Sequence, residues 1–228
     1  LLALSQWIQS HALHVYMLAL PDYLGYESVL ALPNEYLPQV KRALKLKRLG
    51  NDLTALIGGR EVHPVTTRVK GFTSVPTRAQ LAEIRGRLEN AKEDALETVK
   101  LVNSIPMPAF IRECEHIALI DPLGEEYAIN SSGGRGNLGS TEGLNIPLRE
   151  YRSYITEHHV PPSNALRSFV KDKDTYMVGP LPRVNVNFDL LSEDAKKSAE
   201  ETGVKFPNFD VYKSALARAI ELVHSIDD

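Results

Sequence analysis

The sequence predicts a mainly helical bundle with a small β-hairpin insertion. Apolar residues recur at spacings of three and four over long stretches near both ends, which is typical of helices. Prolines and glycines concentrate between residues 105 and 147, where two short apolar runs also lie. The 228 residues, 43% hydrophobic and 24% charged, are enough for one large globular domain. We therefore expect one domain with a small β-containing insertion at about 105–147.

The first half of the chain contains three predicted helices. Residues 1–20 form the first, and the two prolines, glycine and asparagine of residues 21–34 predict a loop. Residues 35–57 form the second, with Pro38 in its first turn and Gly58 suited to a left-handed end. Residues 77–103 form the longest helix, for which Thr77 is the expected N-cap.

The second half of the chain contains shorter predicted elements, which include strands and turns as well as helices. The runs HIALI (116–120) and EYAIN (126–130) flank the turn DPLGE and predict a hairpin. Residues 131–143 read as a turn-rich link that could include another hairpin, and 147–157 as a short helix. YMVGPLPRVNVN (176–187) shows no helical period until after Pro182, and two further helices are expected at about 192–202 and 209–227.

Composition excludes several classes of protein and site. A formal net charge of −3 gives no electrostatic footprint for nucleic acid. The single cysteine, Cys114, excludes an intrachain disulfide and a cysteine-based zinc site. No apolar run reaches the roughly 18–20 residues of a membrane span, and no secretory pattern is present. We expect a cytoplasmic protein, and, because both ends lie inside uncapped helical patterns, an internal piece of a longer polypeptide.

The stretch GGREVHPVTTRVKGF (58–72) is the most distinctive candidate for chemistry. A phosphate loop is disfavoured because its glycines follow the end of a helix, whereas phosphate cradles sit at helix N-termini, and no Gly-Lys-Ser/Thr follows. Arg60 and His63 could line a polar pocket or grip a partner. A surface turn that only caps the helix is equally compatible with these residues.

His11 and His14 are three residues apart and share a helix face. Such a pair can bind a metal, but neither an acidic residue nor a cysteine stands beside it in the sequence. Two packed, hydrogen-bonded histidines are the favoured interpretation.

Residues 58–72 resemble the internal signature of nickel–iron hydrogenase large subunits, which is Gly-Gly-Arg/Lys, two variable residues, His-Pro and a later Gly-Phe. SHALHVYMLALPDYLGY (10–26) resembles the helix and Pro-Asp-Tyr turn that precede this signature. YMVGPLPRVNVN resembles the family's Val-Gly-Pro-Leu-Ala-Arg-Val-Asn segment. Further matches follow the same order, namely EYRSYITEH (150–158), Ser163-Asn164-Ala165 and ARAIELVHSID (217–227). The resemblance covers nearly the whole chain and favours the soluble NAD(P)-linked bidirectional and sulfhydrogenase branch.

The resemblance implies that residues 1–228 are the central part of a hydrogenase large-subunit domain. The parent enzyme would be an oxidoreductase that reversibly oxidises hydrogen at a nickel–iron centre, coupled to a nicotinamide or similar acceptor. Its partners would be a diaphorase-type electron-transfer subunit and an iron–sulfur small subunit. His11, Arg60, His63 and Arg183 would line the buried site or the subunit interface.

The departures from the family limit what this chain can do alone. The family holds its metals with two Cys-x-x-Cys pairs, and this chain has neither. It also lacks the Ala-Pro-Arg-Gly segment that follows the last helix, and has Lys70 and Pro182 where the family often has Gly and Ala. We expect the isolated chain to bind no nickel, to be inactive, and to be capable of self-association. A non-catalytic homologue, such as the quinone-site subunit of respiratory complex I, and a scaffold protein remain alternatives.

Overall fold

The computed structural model describes residues 1–129, 136–173 and 175–228, which divide into two units. The first, here called the helical unit, comprises Leu1–Pro108, Ser192–Val204 and Ala215–Asp228. The second, the β-containing unit, comprises Ala109–Leu191 and Lys205–Ser214. The predicted mainly helical class is confirmed. Among the residues described, no helix is both long and apolar enough to cross a membrane.

The first predicted helix is present but continues further than expected. Helix α1 (Leu2–Leu13) passes into a π-helical segment (His14–Ala19) and then into α2 (Leu20–Leu24), which ends at Gly25 with a φ of 78°. The predicted loop is therefore wrong for residues 21–24. Pro21 does not stop the helix, because it lies where the π-helical segment passes into α2 and the regular backbone hydrogen-bond pattern already changes.

The second predicted helix is confirmed as α3 (Leu37–Gly58), with Pro38 in its first turn. Its left-handed end is Gly59, with a φ of 78°, and not Gly58 as predicted. The buried face packs against α1 and is mostly aliphatic, consisting of Ala43, Leu46, Leu49, Leu53 and Ile57.

The longest predicted helix is two helices, α4 (Arg78–Glu89) and α5 (Lys92–Ser104). Thr77 caps α4 in a reciprocal capping box with Gln80, as its position predicts. The break falls at Asn90, a residue type that competes for backbone hydrogen bonds, and two acidic residues then favour a new helix N-terminus. Two further helices, α7 (Glu193–Glu201) and α8 (Ser214–Asp227), agree with the predicted pair, although α8 starts later than expected.

The β-containing unit holds a four-stranded sheet made of β3 (Glu115–Ile120), β4 (Asn137–Ser140), β5 (Asn145–Pro147) and β8 (Tyr176–Met177). The order of the strands in this sheet is β5-β4-β3-β8. The predicted partner of β3 is wrong, because residues 126–129 form no strand and β3 pairs antiparallel with β4 and parallel with β8. Residues 130–135, which include part of the predicted link, lie outside the described residues.

Close packing explains the choice of β4 as the partner of β3. A Cβ atom at Gly139 would lie 2.6 Å from Cγ2 of Ile120, so the glycine lets this side chain cross the neighbouring strand.

The short helix predicted at 147–157 is a 3-10 helix over most of its length and the start of a second hairpin at its end. A 3-10 helix (Leu148–Ser153) leads into β6 (Ile155–His159), which pairs antiparallel with β7 (Leu166–Val170). The β-branched pair at the start of β6 favours extended structure. Helix α6 (Pro180–Asn187) begins before Pro182, contrary to prediction, because both prolines occupy its first turn. It packs on β3, where Asn187 Nδ2 donates to the Leu119 carbonyl at 3.0 Å.

Candidate functional site

The glycine-rich stretch after α3 folds back on the end of that helix. The carbonyl of Gly58 accepts from the N–H groups of Val65, at 2.8 Å, and Thr66, at 3.2 Å. The hydroxyl of Thr66 donates to the carbonyl of Ile57 at 2.7 Å. These bonds satisfy carbonyls that would otherwise be unpaired at the helix end. The stretch is therefore a helix-ending turn, and its position at a C-terminus disfavours phosphate binding.

Both glycines of this turn are required by their surroundings. A Cβ atom on Gly58 would lie 2.8 Å from the ring of Pro64, and Gly59 has a left-handed φ of 78°. His63, just before Pro64, also has a positive φ, of 55°. Gly58 thus packs closely against Pro64, and Gly59 provides the left-handed backbone that the turn before His63 requires.

Two polar side chains tie the turn to the neighbouring helices. Asn51 in α3 donates to Oε2 of Glu61 at 3.1 Å, and Gln9 in α1 donates to the Glu61 carbonyl at 3.4 Å. Arg60 and His63, on either side of Glu61, are exposed. The turn is therefore held against α1 and α3 through Glu61, and it leaves Arg60 and His63 exposed.

His63 borders a shallow groove of about 400 Å³ between α1 and the turn. The groove mixes apolar and polar side chains, which are Gln6, Trp7, Gln9, Ser10, Leu13, Lys47, Val62, His63 and Pro64. Beyond it, β1 (Thr67–Arg68) and β2 (Gly71–Phe72) form a two-residue hairpin in which Lys70 has a φ of 71°. A glycine would adopt this conformation without strain, which explains physically why glycine is common at this position in the resembled family.

His11 makes a buried ion pair that its sequence neighbours do not reveal. Its Nε2 lies 2.9 Å from Oε2 of Glu221 in α8. The two residues are only 4% and 0% exposed. The Trp7 ring lies against the other side of the imidazole, with centroids 5.7 Å apart. The acidic partner that is absent beside His11 in sequence is thus supplied from the far end of the chain.

His14 is the first residue of the π-helical segment and is half-buried. Burial lowers the pKa of its imidazole to about 4, with smaller contributions from Arg218 and His11. The ring is therefore neutral near pH 7. The two histidines of this helix differ accordingly, since one is buried against a carboxylate and the other is half-buried.

Arg183 lies in α6 of the β-containing unit, whereas His11, Arg60 and His63 belong to the helical unit. Arg183 is half-buried, and its backbone N–H donates to the Gly179 carbonyl at 3.0 Å. Within the helical unit, Trp7 connects two of the candidates, because it contacts His11 and lines the groove beside His63.

A polar cluster in the β-containing unit is not apparent from sequence patterns. His116 in β3 is fully buried, and Asn185 Nδ2 donates to its Nδ1 at 2.7 Å. Asn185 also bonds both backbone groups of Asn208, while the Phe209 ring lies 4.8 Å from the imidazole centroid. Burial lowers the pKa of His116. The alternating asparagines of VNVN were the available signal, and their role here is to tie a loop to the sheet.

The donors in this chain do not fit a nickel–iron centre. Among the described residues, no group of three or more His, Cys, Asp or Glu side chains is arranged to hold a metal ion. The pKa of the lone thiol, Cys114, is raised, mainly by burial, so it remains a thiol near neutral pH. Soft metals of this kind require thiolate ligands.

Comparison with known proteins shows which proteins this chain is similar to. The chain is 33% identical over 227 residues to the sulfhydrogenase 1 alpha subunit of Pyrococcus furiosus, covering 99% of this chain and 52% of that protein. It is 30% identical over 221 residues to the sulfhydrogenase 2 alpha subunit of the same organism, covering 96% of this chain and 49% of that protein. No family model matches the chain.

The fold is shared with a solved NAD+-reducing NiFe hydrogenase in its H2-reduced state. The TM-score is 0.81 at 19% identity, with 99% of this chain and 55% of that chain covered. The chain therefore spans about half the length of the proteins it matches. Its sequence and its fold together make it a homologue of hydrogenase large (alpha) subunits.

Proposed function

We propose that this chain is part of the large subunit of a nickel–iron hydrogenase, an oxidoreductase that reversibly oxidises hydrogen. The observation that carries this proposal is the match to a sulfhydrogenase alpha subunit over 99% of the chain. The shared fold and the anchored turn that carries Arg60 and His63 support it. In this proposal the chain contributes the helical frame of the enzyme and is inactive by itself.

The cofactor of the parent enzyme would be a nickel–iron centre, which when bound supplies the site of hydrogen activation. The chain has one cysteine, so thiolate ligands would have to come from segments outside it. The residues of this chain would then shape and polarise the surroundings of the centre.

The partners we propose are a small subunit with iron–sulfur clusters and a diaphorase-type subunit that passes electrons to a nicotinamide or similar acceptor. The enzyme would operate in the cytoplasm. The likeness to an NAD+-reducing hydrogenase supports this branch of the family.

Arg60 and His63 are proposed to contact a partner subunit. Both are exposed, and hydrogen bonds to Gly58 and Ile57 hold the turn, so little conformational entropy is lost when a partner binds. His11, which is buried, and Arg183, which is half-buried, are proposed to line the reaction site or the subunit interface.

Replacing His63 with Ala in the full-length enzyme tests the interface role. We expect the association of the subunits to weaken by roughly tenfold or more, the effect of losing a contact worth about 1.4 kcal/mol. His159→Ala, which removes an exposed histidine from β6, is the matched control and should leave association unchanged. Wild-type assembly and activity of the His63 variant would remove His63 from the interface.

Two alternative functions are also compatible with a chain that has no Cys-x-x-Cys pair. A scaffold protein and a quinone-site subunit would both lack such pairs throughout the full-length protein. Sequencing the gene beyond residues 1 and 228 separates the three cases. The hydrogenase proposal requires one Cys-x-x-Cys pair on each side, and flanks without cysteine pairs would contradict it.

A further inference from the structure

We propose that His116, Asn185 and Asn208 form an acid-sensitive lock, which docks the loop of residues 205–213 on β3 while His116 is neutral and releases it when His116 gains a proton. All three residues belong to the β-containing unit. The lock is a conformational device, argued from the hydrogen bonds of this unit, and it does not rest on the proposed function.

The backbone of Asn208 fixes the orientation of the Asn185 amide. The N–H of Asn208 donates to Oδ1 of Asn185 at 2.8 Å, and the carbonyl of Asn208 accepts from Nδ2 at 2.7 Å. Because a peptide N–H only donates and a carbonyl only accepts, a flipped amide would place donor against donor and acceptor against acceptor. The second hydrogen of Nδ2 is therefore the one donated to Nδ1 of His116, at 2.7 Å.

This donor determines the protonation state of His116. Because Nδ1 accepts a hydrogen bond, it carries no proton, and the neutral ring holds its proton on Nε2. A proton added to Nδ1 would point at the hydrogen of the Asn185 amide and break the bond. Within the described residues, Nε2 has no protein hydrogen-bond partner, and His116 is 0% exposed. An imidazolium there would have neither a protein acceptor nor solvent, so the docked loop and the charged ring exclude each other.

The described strands around His116 place uncharged side chains beside it. Glu115, the preceding residue of β3, points to the opposite face of the strand, where its Oε1 accepts from the hydroxyl of Ser140 at 2.6 Å. Strand β8 pairs Met177 with His116. Just after β4, the hydroxyl of Thr141 accepts from the backbone N–H of His116 at 3.1 Å.

The loop and α6 contribute charges that are engaged elsewhere or have the wrong sign to pair with an imidazolium. Oδ1 of Asp210 accepts from the backbone N–H of Phe110 at 3.2 Å. Arg183 on α6 is a cation and stands two positions before Asn185, about 200° around the helix. Burial is what lowers the pKa of His116, as expected for a ring without a carboxylate partner. The other charged or titratable side chains of the surrounding segments are Arg112, Cys114, Glu142, Tyr176, Lys205 and Lys213.

A second attachment of the loop does not involve the lock. The backbone N–H of Val211 donates to the carbonyl of Phe110 at 3.0 Å. On β3, by contrast, the Asn185 amide links Asn208 to the imidazole, and the centroid of the Phe209 ring lies 4.8 Å from that of the imidazole. A charged imidazole must reach water, so Asn208 and Phe209 move away while the backbone attachment remains. The release is therefore a local opening and not an unfolding of the chain.

The direction of the pH dependence follows from the two states of the loop. In the released loop, His116 is solvated and has an ordinary pKa of about 6.5, whereas in the docked loop burial lowers this pKa. The docked state is therefore fully favoured above about pH 6.5. Below that pH, the docking equilibrium weakens by about tenfold for each pH unit, until the pKa of the docked ring is reached.

NMR on the full chain, labelled with 15N, tests the lock. At pH 7 we expect His116 to be the tautomer with its proton on Nε2. Amide exchange at Asn208, corrected for its intrinsic pH dependence, should report an opening equilibrium that rises by about tenfold per pH unit below about 6.5. The amide of Val211, which the lock does not hold, should keep its protection over the same range and serves as the internal control.

Asn185→Asp tests the hydrogen bond that carries the inference. A carboxylate at this position accepts from the N–H of Asn208 and from a protonated Nδ1, so we expect the pKa of His116 to rise above its ordinary value by about 1–3 units. The acid-induced exchange at Asn208 should then be lost. His159→Gln, which changes an exposed histidine in β6, is the matched control and should leave the pH profile unchanged.

Two results would overturn the proposal. A proton on Nδ1 of His116 at pH 7, or an Asn208 amide whose protection is the same at pH 7 and pH 5, would exclude the lock, and neither result needs a variant. A wild-type pH response in Asn185→Asp would show that acid acts on another group. These readouts do not require hydrogenase activity, so the lock and the proposed function can fail independently.

Discussion

Replacing His11 with Leu is expected to lower the free energy of unfolding by about 3–5 kcal/mol, the cost of removing one partner of a buried ion pair. The physical reason is that Glu221 is 0% exposed and would lose the imidazole whose Nε2 lies 2.9 Å from its carboxylate. The lost imidazole is replaced by a side chain of similar bulk, so the packing change contributes little. Urea denaturation at pH 7, followed by circular dichroism, measures the difference.

The double variant His11→Leu/Glu221→Leu separates the ion pair from general damage to the core. Two apolar side chains satisfy each other, so the double variant should recover most of the lost stability. His159→Leu is the matched control, because it changes an exposed histidine in β6 and should alter stability by no more than about 0.5 kcal/mol. If the two single substitutions at His11 and Glu221 were additive in the double variant, the residues would not be coupled.

Gly50→Ala is expected to destabilise the protein by about 1–3 kcal/mol through overpacking. A loss of stability is unusual for this substitution, because alanine in a helix interior is normally favoured over glycine by about 1 kcal/mol. Here a Cβ atom at Gly50 would lie 2.6 Å from the backbone nitrogen of Gln9 and 2.9 Å from the carbonyl of Ser5. Backbone atoms cannot move aside as a flexible side chain can, so α1 and α3 would have to separate.

Gly86→Ala in α4 provides the matched control for this substitution. A Cβ atom at Gly86 meets nothing within 4 Å, so the substitution should stabilise the protein by about 0.5–1 kcal/mol. Opposite signs for the two variants in urea denaturation would confirm the close approach of α1 and α3 at Gly50. Stabilisation by both would show that the helices are further apart there.

Local signals in the sequence predicted most of the helical unit. The spacing of apolar residues gave α3, and chemistry within one turn gave Pro38 at its start and Thr77 at the N-cap of α4. Such features depend on neighbours within a few residues, which sequence patterns report directly. The errors fall where local signals compete. Pro21 reads as a helix stop but is accommodated where the π-helical segment passes into α2.

Long-range pairing could not be predicted in the same way. The turn after β3 favours the nearest apolar run as its partner, whereas Gly139 in β4 provides the fit that β3 requires. The parallel pairing of β3 with β8 joins segments far apart in sequence and leaves no local trace. Helix α8 illustrates the same limit, because Glu221 stands in an apolar run where a buried charge is rare. That rarity was the available signal for a buried partner, but it does not identify His11.

The candidate site residues remain predictions that rest on the resemblance. The resemblance selected His11, Arg60, His63 and Arg183, and the structure places the first three in the helical unit and Arg183 in the β-containing unit. Residue chemistry alone left pocket and turn equally open for Arg60 and His63. Hydrogen bonds to Gly58 and Glu61 then established the turn. The roles of all four residues remain proposals.

Nickel content measured on the full-length protein and on the isolated 228-residue chain tests the central claim most directly. We expect about one nickel per full-length large subunit, with hydrogen uptake, and neither nickel nor uptake in the isolated chain, because thiolate ligands are needed and the chain has one cysteine. A full-length protein without nickel, or stoichiometric nickel in the isolated chain, would contradict the assignment of this chain to the metal-free part of a nickel–iron hydrogenase large subunit.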